Sequence, residues 1–283
     1  MRRTRVHVAL ELATGGDLLL PLAPSMHLLR VLRLRPGAAL TLFNGQGGEF
    51  TAELLASERG SARVRLLDFD AIERESALRI TLLQGLARGE RMDLIIQKAT
   101  ELGVTEIVPL ACEFSVVRLA AHAMARRRER WQAVAISACE QCGRNRPPIV
   151  QEIATLENAC AATRTVAGTG TGTGTVSTTA TAPEPAPGPP DGQPLLLMLV
   201  PEATESLGGL TRSGAHPAAG NGAPLRTVTL LVGPEGGLSG REQLLAQRAG
   251  FHACRLGPRV LRTETAPLAA LAALQALAGD LAT

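Results

Sequence analysis

Two short stretches near the C-terminus carry the residue types from which a site can be built. In LLVGPEGGLSGRE, Gly233, Gly236 and Gly237 surround one carboxylate, Glu235, directly after an apolar run. In LGPRVLRTETAP, Arg259, Arg262, Thr263 and Glu264 crowd the turn that follows Gly257-Pro258. Glycines strip side chains from a loop and permit positive φ, so a flat ligand can lie against bare main chain. Glu235 is the only acid of its turn and suits a hydroxyl or an amine. Arginine stabilises developing negative charge, and glutamate accepts protons. Two familiar loop chemistries do not fit. No Gly-Lys-Ser/Thr follows the glycines, as a phosphate loop requires, and the spacing is not G-x-G-x-x-G. A tight turn closed by a well-capped helix explains the first stretch when it is taken alone. The second stretch repeats the design, and two adjacent loops at strand C-termini make a pocket where open α/β sheets bind ligands.

The elements around these loops support that placement. TVTLLV ends in the glycine loop, and Ser239-Gly240-Arg241-Glu242 reads as a capping box that starts the next helix. LRITLLQGL is a near-continuous apolar strand, as in a parallel sheet covered on both faces. Met92, Ile95, Ile96, Ala99 and Leu102 then fall at helical spacing, Gly103 stops that helix, and VTEIVPL is the next strand. LLLMLV and FHACRL supply two further strands, and a long helix runs from about Ala121 to Gly143 with Arg126, Arg127, Arg128 and Arg130 on its early turns. This second domain is therefore α/β with a mostly parallel sheet.

The first seventy or so residues read differently. ALTLFNG, GEFTAELLAS and ARVRLLDF are strands at hairpin-like spacing, with Asn44-Gly45 as a turn signal. HLLRVLRLR, between Pro24 and Gly37, is helical in pattern and gathers Arg30, Arg33 and Arg35. The expectation is a small β-barrel carrying one basic helix. Residues 168–190, rich in Gly, Thr and Pro, and 208–224 read as flexible insertions without a catalytic role.

Composition sets further bounds. The chain has 283 residues, 45% of them hydrophobic, and a formal net charge of only +3, so any nucleic-acid site is a local patch. Aromatic residues make up 2% and tyrosine is absent, which argues against base stacking on an aromatic platform. Five cysteines and no secretory h-region after MRRTRVHVAL fit a reduced, cytoplasmic protein without a membrane span. Cys139 and Cys142 form a lone CxxC without the second pair that zinc needs, so no metal is expected.

HLLRVLRLRPG, RMDLIIQKATELGV, ACEQCGRNRPP, LLVGPEGGLS and LGPRVLRTETAPLAAL occur in this order along the chain. Together they resemble the RsmE-type methyltransferases of the SPOUT superfamily, which methylate N3 of a uridine in 16S ribosomal RNA. The resemblance implies a PUA-like RNA-binding barrel over 1–73 and a SPOUT methyltransferase domain over 74–283. It also implies a C-terminal trefoil knot, a homodimer, and S-adenosylmethionine as cofactor. Carried onto this sequence, Gly233, Glu235, Gly236, Leu256, Gly257, Val260, Leu261 and Arg262 line the cofactor pocket, with Leu199, Val200 and Pro201 as its third wall. Arg2, Arg3, His27, Arg30, Arg33, Gln141 and Asn145 are candidate RNA contacts. Uridine N3 carries a proton at neutral pH, so an arginine beside O2 or O4 would stabilise the anion. Arg262 is the first candidate and Arg144 the second. Glu264 is either the general base or the group that orients Arg262. The implied substrate is the assembled small subunit. The alternatives are a non-catalytic ribosome-assembly factor and a SPOUT enzyme acting at another RNA position.

Overall fold

The computed structural model describes residues 3–115, 121–168, 194–212 and 225–281. The chain divides into two compact units, Met1–Glu75 with Ile136–Pro147, and Ser76–Ala135 with Pro148–Thr283. The sequence-based boundary at 73/74 treated each domain as one continuous stretch, whereas residues 136–147 join the first unit.

The first unit is a five-stranded sheet in the order β1-β3-β4-β5-β2. Its strands are β1 (Thr4–His7), β2 (Asp17–Leu19), β3 (Ala39–Phe43), β4 (Glu49–Glu58) and β5 (Ser61–Asp70). Alternate residues of β4 and β5, including Phe50, Ala52, Leu54, Val64 and Leu66, point into a core shared with Val6, Leu40 and Leu28. A two-residue turn, Arg59-Gly60, joins β4 to β5, and both residues have positive φ, 49° and 88°. The basic helix is shorter than its pattern suggests. Helix α1 (Leu22–Met26) passes into a π-helical turn, His27–Val31, closed by Leu32 N–H on the His27 carbonyl at 2.9 Å. Arg33 then takes a left-handed φ of 52°, and Pro36 disfavours helix at Arg35.

Residues 136–147 are fixed in this unit by polar contacts. Arg5 reaches the Gly143 and Arg144 carbonyls and the Asn145 side-chain oxygen, and it pairs with Glu49. The His7 backbone N–H donates to Glu140 at 3.0 Å.

The second unit is built on a sheet whose paired strands are all parallel, in the order β12-β10-β11-β6-β7-β8, with β9 also pairing with β7. These strands are β6 (Arg79–Gly85), β7 (Glu106–Ala111), β8 (Ile149–Val150), β9 (Ala154–Thr155), β10 (Leu195–Leu199), β11 (Thr227–Val232) and β12 (His252–Cys254). Both faces are covered, which explains the continuous apolar runs. Leu82, Leu197 and Leu230 pack with residues of α2 (Arg91–Glu101), α3 (Ala121–Cys142), α5 (Leu207–Arg212) and α7 (Thr265–Ala278). Leu83, Met198 and Leu231 face the other way, against α4 (Leu156–Gly168) and α6 (Gly240–Arg248). Of the two expected insertions, residues 169–190 and 213–224 lie outside the described residues. Residues 207–212 form α5, buried through Leu207 and Leu210, so the expected loop from 208 begins instead as helix.

Candidate active site

Because the strands are parallel, their C-terminal ends share one edge of the sheet. The segments after β10, β11 and β12 enclose a cavity of about 740 Å³ there. Every residue assigned to the cofactor from sequence lines it: Leu199, Val200 and Pro201; Gly233, Glu235 and Gly236; and Leu256, Gly257, Val260, Leu261 and Arg262. Thr263 stitches two of the walls together, its hydroxyl donating to the Gly233 carbonyl at 3.0 Å. The capping box forms as its residues require. The Ser239 side chain accepts from the Glu242 N–H, and the Glu242 side chain accepts from the Ser239 N–H at 2.8 Å.

The glycines of the loop serve different ends. A Cβ on Gly236 would lie 2.8 Å from Phe114 Cβ, and one on Gly233 would lie 3.0 Å from the backbone of Gly237 and Leu238. Gly85, at the end of β6, leaves room for the same loop, since its Cβ would fall 2.4 Å from the Pro234 nitrogen. The expected explanation, a ligand's approach, is therefore not the only reason for glycine here. Gly233 and Gly236 are small because the protein's own chain comes close. Gly237 and Gly257 instead have φ of 72° and 73° with nothing within 4 Å of a built Cβ, so bare backbone faces open space there.

One oxygen of Glu235, the acid expected to meet a ligand hydroxyl or amine, is engaged within the protein. Its Oε1 accepts from the Arg88 backbone N–H and from Arg91, each at 2.9 Å. Partial burial alone would raise its pKa, but these donors, with its own N–H, outweigh burial and hold it below the usual carboxylate value. Arg91 also lies 3.8 Å from Glu264 Oε2. That oxygen is buried and has no hydrogen-bond partner among the described residues. The neighbour that orients Glu264 is thus Arg91, and no ion pair joins Glu264 to Arg262. Arg262 is exposed on the pocket lining, and its side chain makes no ion pair among the described residues. Burial, with the Glu205 carboxylate nearby, pushes the lining thiol of Cys254 up to about 12, which makes it a poor nucleophile at neutral pH.

The remaining sequence candidates do not join this pocket. Arg144 belongs to the first unit, where it is 5% exposed and its Nε donates to both oxygens of Glu75, at 3.0 and 3.1 Å. Asn145 is fully buried, accepting from Arg5 at 2.7 Å and donating to the Ile72 carbonyl at 2.9 Å. Both side chains are engaged in holding the first unit together. Arg3, His27, Arg30, Arg33 and Gln141 are exposed, and Arg2 lies outside the described residues. Sequence reasoning missed Arg91, Thr263 as a stitch, and Gly85. Arg91 sits at the start of the helix in RMDLIIQKATELGV, far along the chain from the loops it braces.

The chemistry of this lining suits a nucleoside-bearing sulfonium. Leu199, Val200, Leu256 and Leu261 give apolar wall, Gly237 and Gly257 give bare backbone, and Glu264 gives a carboxylate whose Oε2 accepts no hydrogen bond among the described residues. Among the described residues no helix is long and apolar enough to cross a membrane.

Comparison with known proteins converges on one family. Residues 74–275 match the RNA methyltransferase domain, and residues 26–67 match the RNA methyltransferase PUA domain. Ribosomal RNA small subunit methyltransferase E of Synechocystis is 30% identical, over 96% of this chain and 77% of its own length. The crystal structure of the Neisseria gonorrhoeae protein of that name, bound to S-adenosyl methionine, is 36% identical, with a TM-score of 0.78 and 99% of both chains covered. A Legionella pneumophila methyltransferase solved with bound cofactor SAM is 34% identical, with a TM-score of 0.79, covering 99% of this chain and 100% of its own. With its parallel sheet, its edge pocket and these matches along nearly its whole length, the chain belongs to the RNA methyltransferase family, in the branch of the ribosomal RNA small subunit methyltransferases E.

Proposed function

We propose that this protein transfers the methyl group of S-adenosylmethionine to N3 of a uridine in 16S ribosomal RNA, acting on the small subunit in the cytoplasm as a homodimer. The observation that carries the reading is the convergence of three separate chain segments, 199–201, 233–237 and 256–264, on one pocket. Bound there, the cofactor supplies an electrophilic methyl group. The protein's part is mainly positioning, which can account for several kcal/mol of a barrier. The Gly237 and Gly257 backbone and the apolar wall hold the cofactor, and Arg91 keeps the glycine loop in place through Glu235. Arg262 makes no ion pair among the described residues and stands on the lining, where it can stabilise the negative charge that appears on the uracil when N3 gives up its proton.

RNA binding falls to the first unit in this reading. Arg3, Arg30 and Arg33 are exposed and serve as phosphate contacts, and the exposed His27 and Gln141 are further candidates. Base chemistry needs an unstacked nucleotide, and the scarcity of aromatic residues leaves its presentation to the assembled subunit. The reading includes a C-terminal trefoil knot, as membership of the family implies.

The test is methyl incorporation into small subunits and into naked 16S RNA under single-turnover conditions, followed by mass mapping of the product. Modification of small subunits at a uridine N3, with Arg262→Ala cutting turnover far more than RNA binding, is the expected result. Methylation at another atom, or equal rates on both substrates, would overturn the corresponding part.

A further inference from the structure

A buried carboxylate oxygen ordinarily has a donor, because leaving it unpaired costs on the order of a few kcal/mol. Glu264 Oε2 has no donor among the described residues, although the side chain is only 16% exposed. Its polar neighbours on the wall are already engaged. Glu235 accepts from Arg88 and Arg91, and Thr263 donates to Gly233. Arg91 points its Nε towards Glu264 but stops at 3.8 Å, beyond hydrogen-bond distance. One guanidinium therefore stands between two carboxylates, and this part of the wall keeps a net negative charge. The other charged groups of the lining are Glu202, Arg255, Arg259 and Arg262. All four are exposed, so water and salt screen them more than they screen Glu264.

We propose that Glu264, positioned by Arg91, is the group by which the pocket prefers the sulfonium-bearing methyl donor to the product left after transfer, whose sulfur is uncharged. This rests on the reading of the pocket as an S-adenosylmethionine site. In the donor, sulfur carries three carbon substituents and a positive charge. On transfer one carbon–sulfur bond breaks and its electron pair stays on sulfur. The methyl carbon bonds to the acceptor nitrogen, and the acceptor's proton passes to solvent. The thioether that remains has lost the sulfonium charge, and with it the attraction of the carboxylate. Such an attraction favours donor loading and product release. It is stronger in the ground state than after transfer, so it does not itself accelerate the methyl step. Glu264 thereby differs in role from Arg262, whose charge acts on the RNA base.

The test is calorimetric titration of the full-length protein with three ligands: S-adenosylmethionine, its demethylated thioether, and an analogue bearing a protonated amine in place of the sulfonium. The unaltered protein is expected to bind both cations more tightly than the thioether. Glu264→Gln keeps the side chain's shape and removes its charge. It should weaken both cations by about tenfold or more, as deletion of one partner of a close charge pair does, and leave the thioether unchanged. Glu264→Asp keeps the charge and draws it back, so it should give an intermediate preference, and it serves as the test if the glutamine variant does not fold. Equal weakening of all three ligands would overturn the proposal. So would unchanged affinities with methyl transfer lost, which would make Glu264 the proton acceptor. Equal affinity of the unaltered protein for donor and thioether would overturn charge selection alone, whereas failure to bind any of the three would sink the cofactor reading itself.

Discussion

Gly85 does not line the pocket, yet the pocket should depend on it. It ends β6, where the chain passes the glycine loop. A Cβ there would lie 2.4 Å from the Pro234 nitrogen, 2.6 Å from Pro234 Cδ and 2.8 Å from the Gly233 carbonyl carbon. Ordinary contact begins near 3.5 Å, so Gly85→Ala must push the loop back by about 1 Å. Two of the three obstructing atoms are backbone, and no rotamer change relieves them. Overpacking of this kind costs about 1–3 kcal/mol, slightly offset by what alanine gains over glycine within a strand. For a domain of this size that lowers Tm by roughly 2–10 °C. The displaced loop carries Gly233, Glu235 and Gly236 of the lining, so cofactor affinity should fall by at least about tenfold. The assays are thermal unfolding and calorimetric titration with S-adenosylmethionine. Gly240→Ala is the control, because a Cβ there meets nothing within 4 Å. Its stability should match or slightly exceed the original. Gly85→Ala with unaltered Tm and cofactor affinity would refute the reasoning.

Three further outcomes are expected. Arg144→Ala leaves the partly buried Glu75 without its partner and should cost about 2–4 kcal/mol in chemical denaturation, more than replacing both residues with apolar ones of similar volume. Ser239→Ala removes the cap of α6 and should cost about 1 kcal/mol, read as a small fall in Tm. Glu49 is partly buried, which alone raises its pKa, but hydrogen bonds from Arg5 and Arg74 outweigh burial and leave it lowered. Its stabilising contribution is therefore complete above the ordinary carboxylate pKa of about 4.3 and disappears as pH falls through the lower folded value. Denaturation of Glu49→Gln between about pH 2 and pH 7 should show a flatter acid limb than the parent.

The parts of this protein that could be read from sequence are those whose cause is local. The apolar runs of β6 and β11 announce a sheet buried on both faces, Gly103 announces a helix end with φ of 81°, and Ser239 with Glu242 announces a cap. The pocket was legible because its walls are the segments that directly follow strands. What escaped was set by residues distant in sequence. Arg91 and Glu235 meet across 144 positions, and nothing in either neighbourhood marks the other. Gly233 and Gly236 line the pocket, but a sequence does not say that their missing side chains also make room for Gly237 and Leu238 in one case and Phe114 in the other. Arg144 and Asn145 looked functional for a related reason. A polar cluster after a helix reads alike whether it meets RNA or the partners Glu75, Arg5 and Ile72 that hold it in the first unit. The basic helix came out short because propensity favoured a continuation that Arg33 and Pro36 end.

The return of residues 136–147 to the first unit has a consequence during synthesis. Arg5 finds its acceptors at Gly143, Arg144 and Asn145, and the β1 backbone at His7 donates to Glu140. When Glu75 leaves the ribosome, those partners have not been made. These contacts must wait while residues 76–135 are translated, several seconds at about 5–20 residues per second. During that interval the Arg5 guanidinium lacks the carbonyls that later surround it. A fragment ending at Glu75 would stay in that unfinished state permanently. A nascent-chain series should therefore gain a last increment of protease resistance in its first seventy residues once position 147 has cleared the exit tunnel.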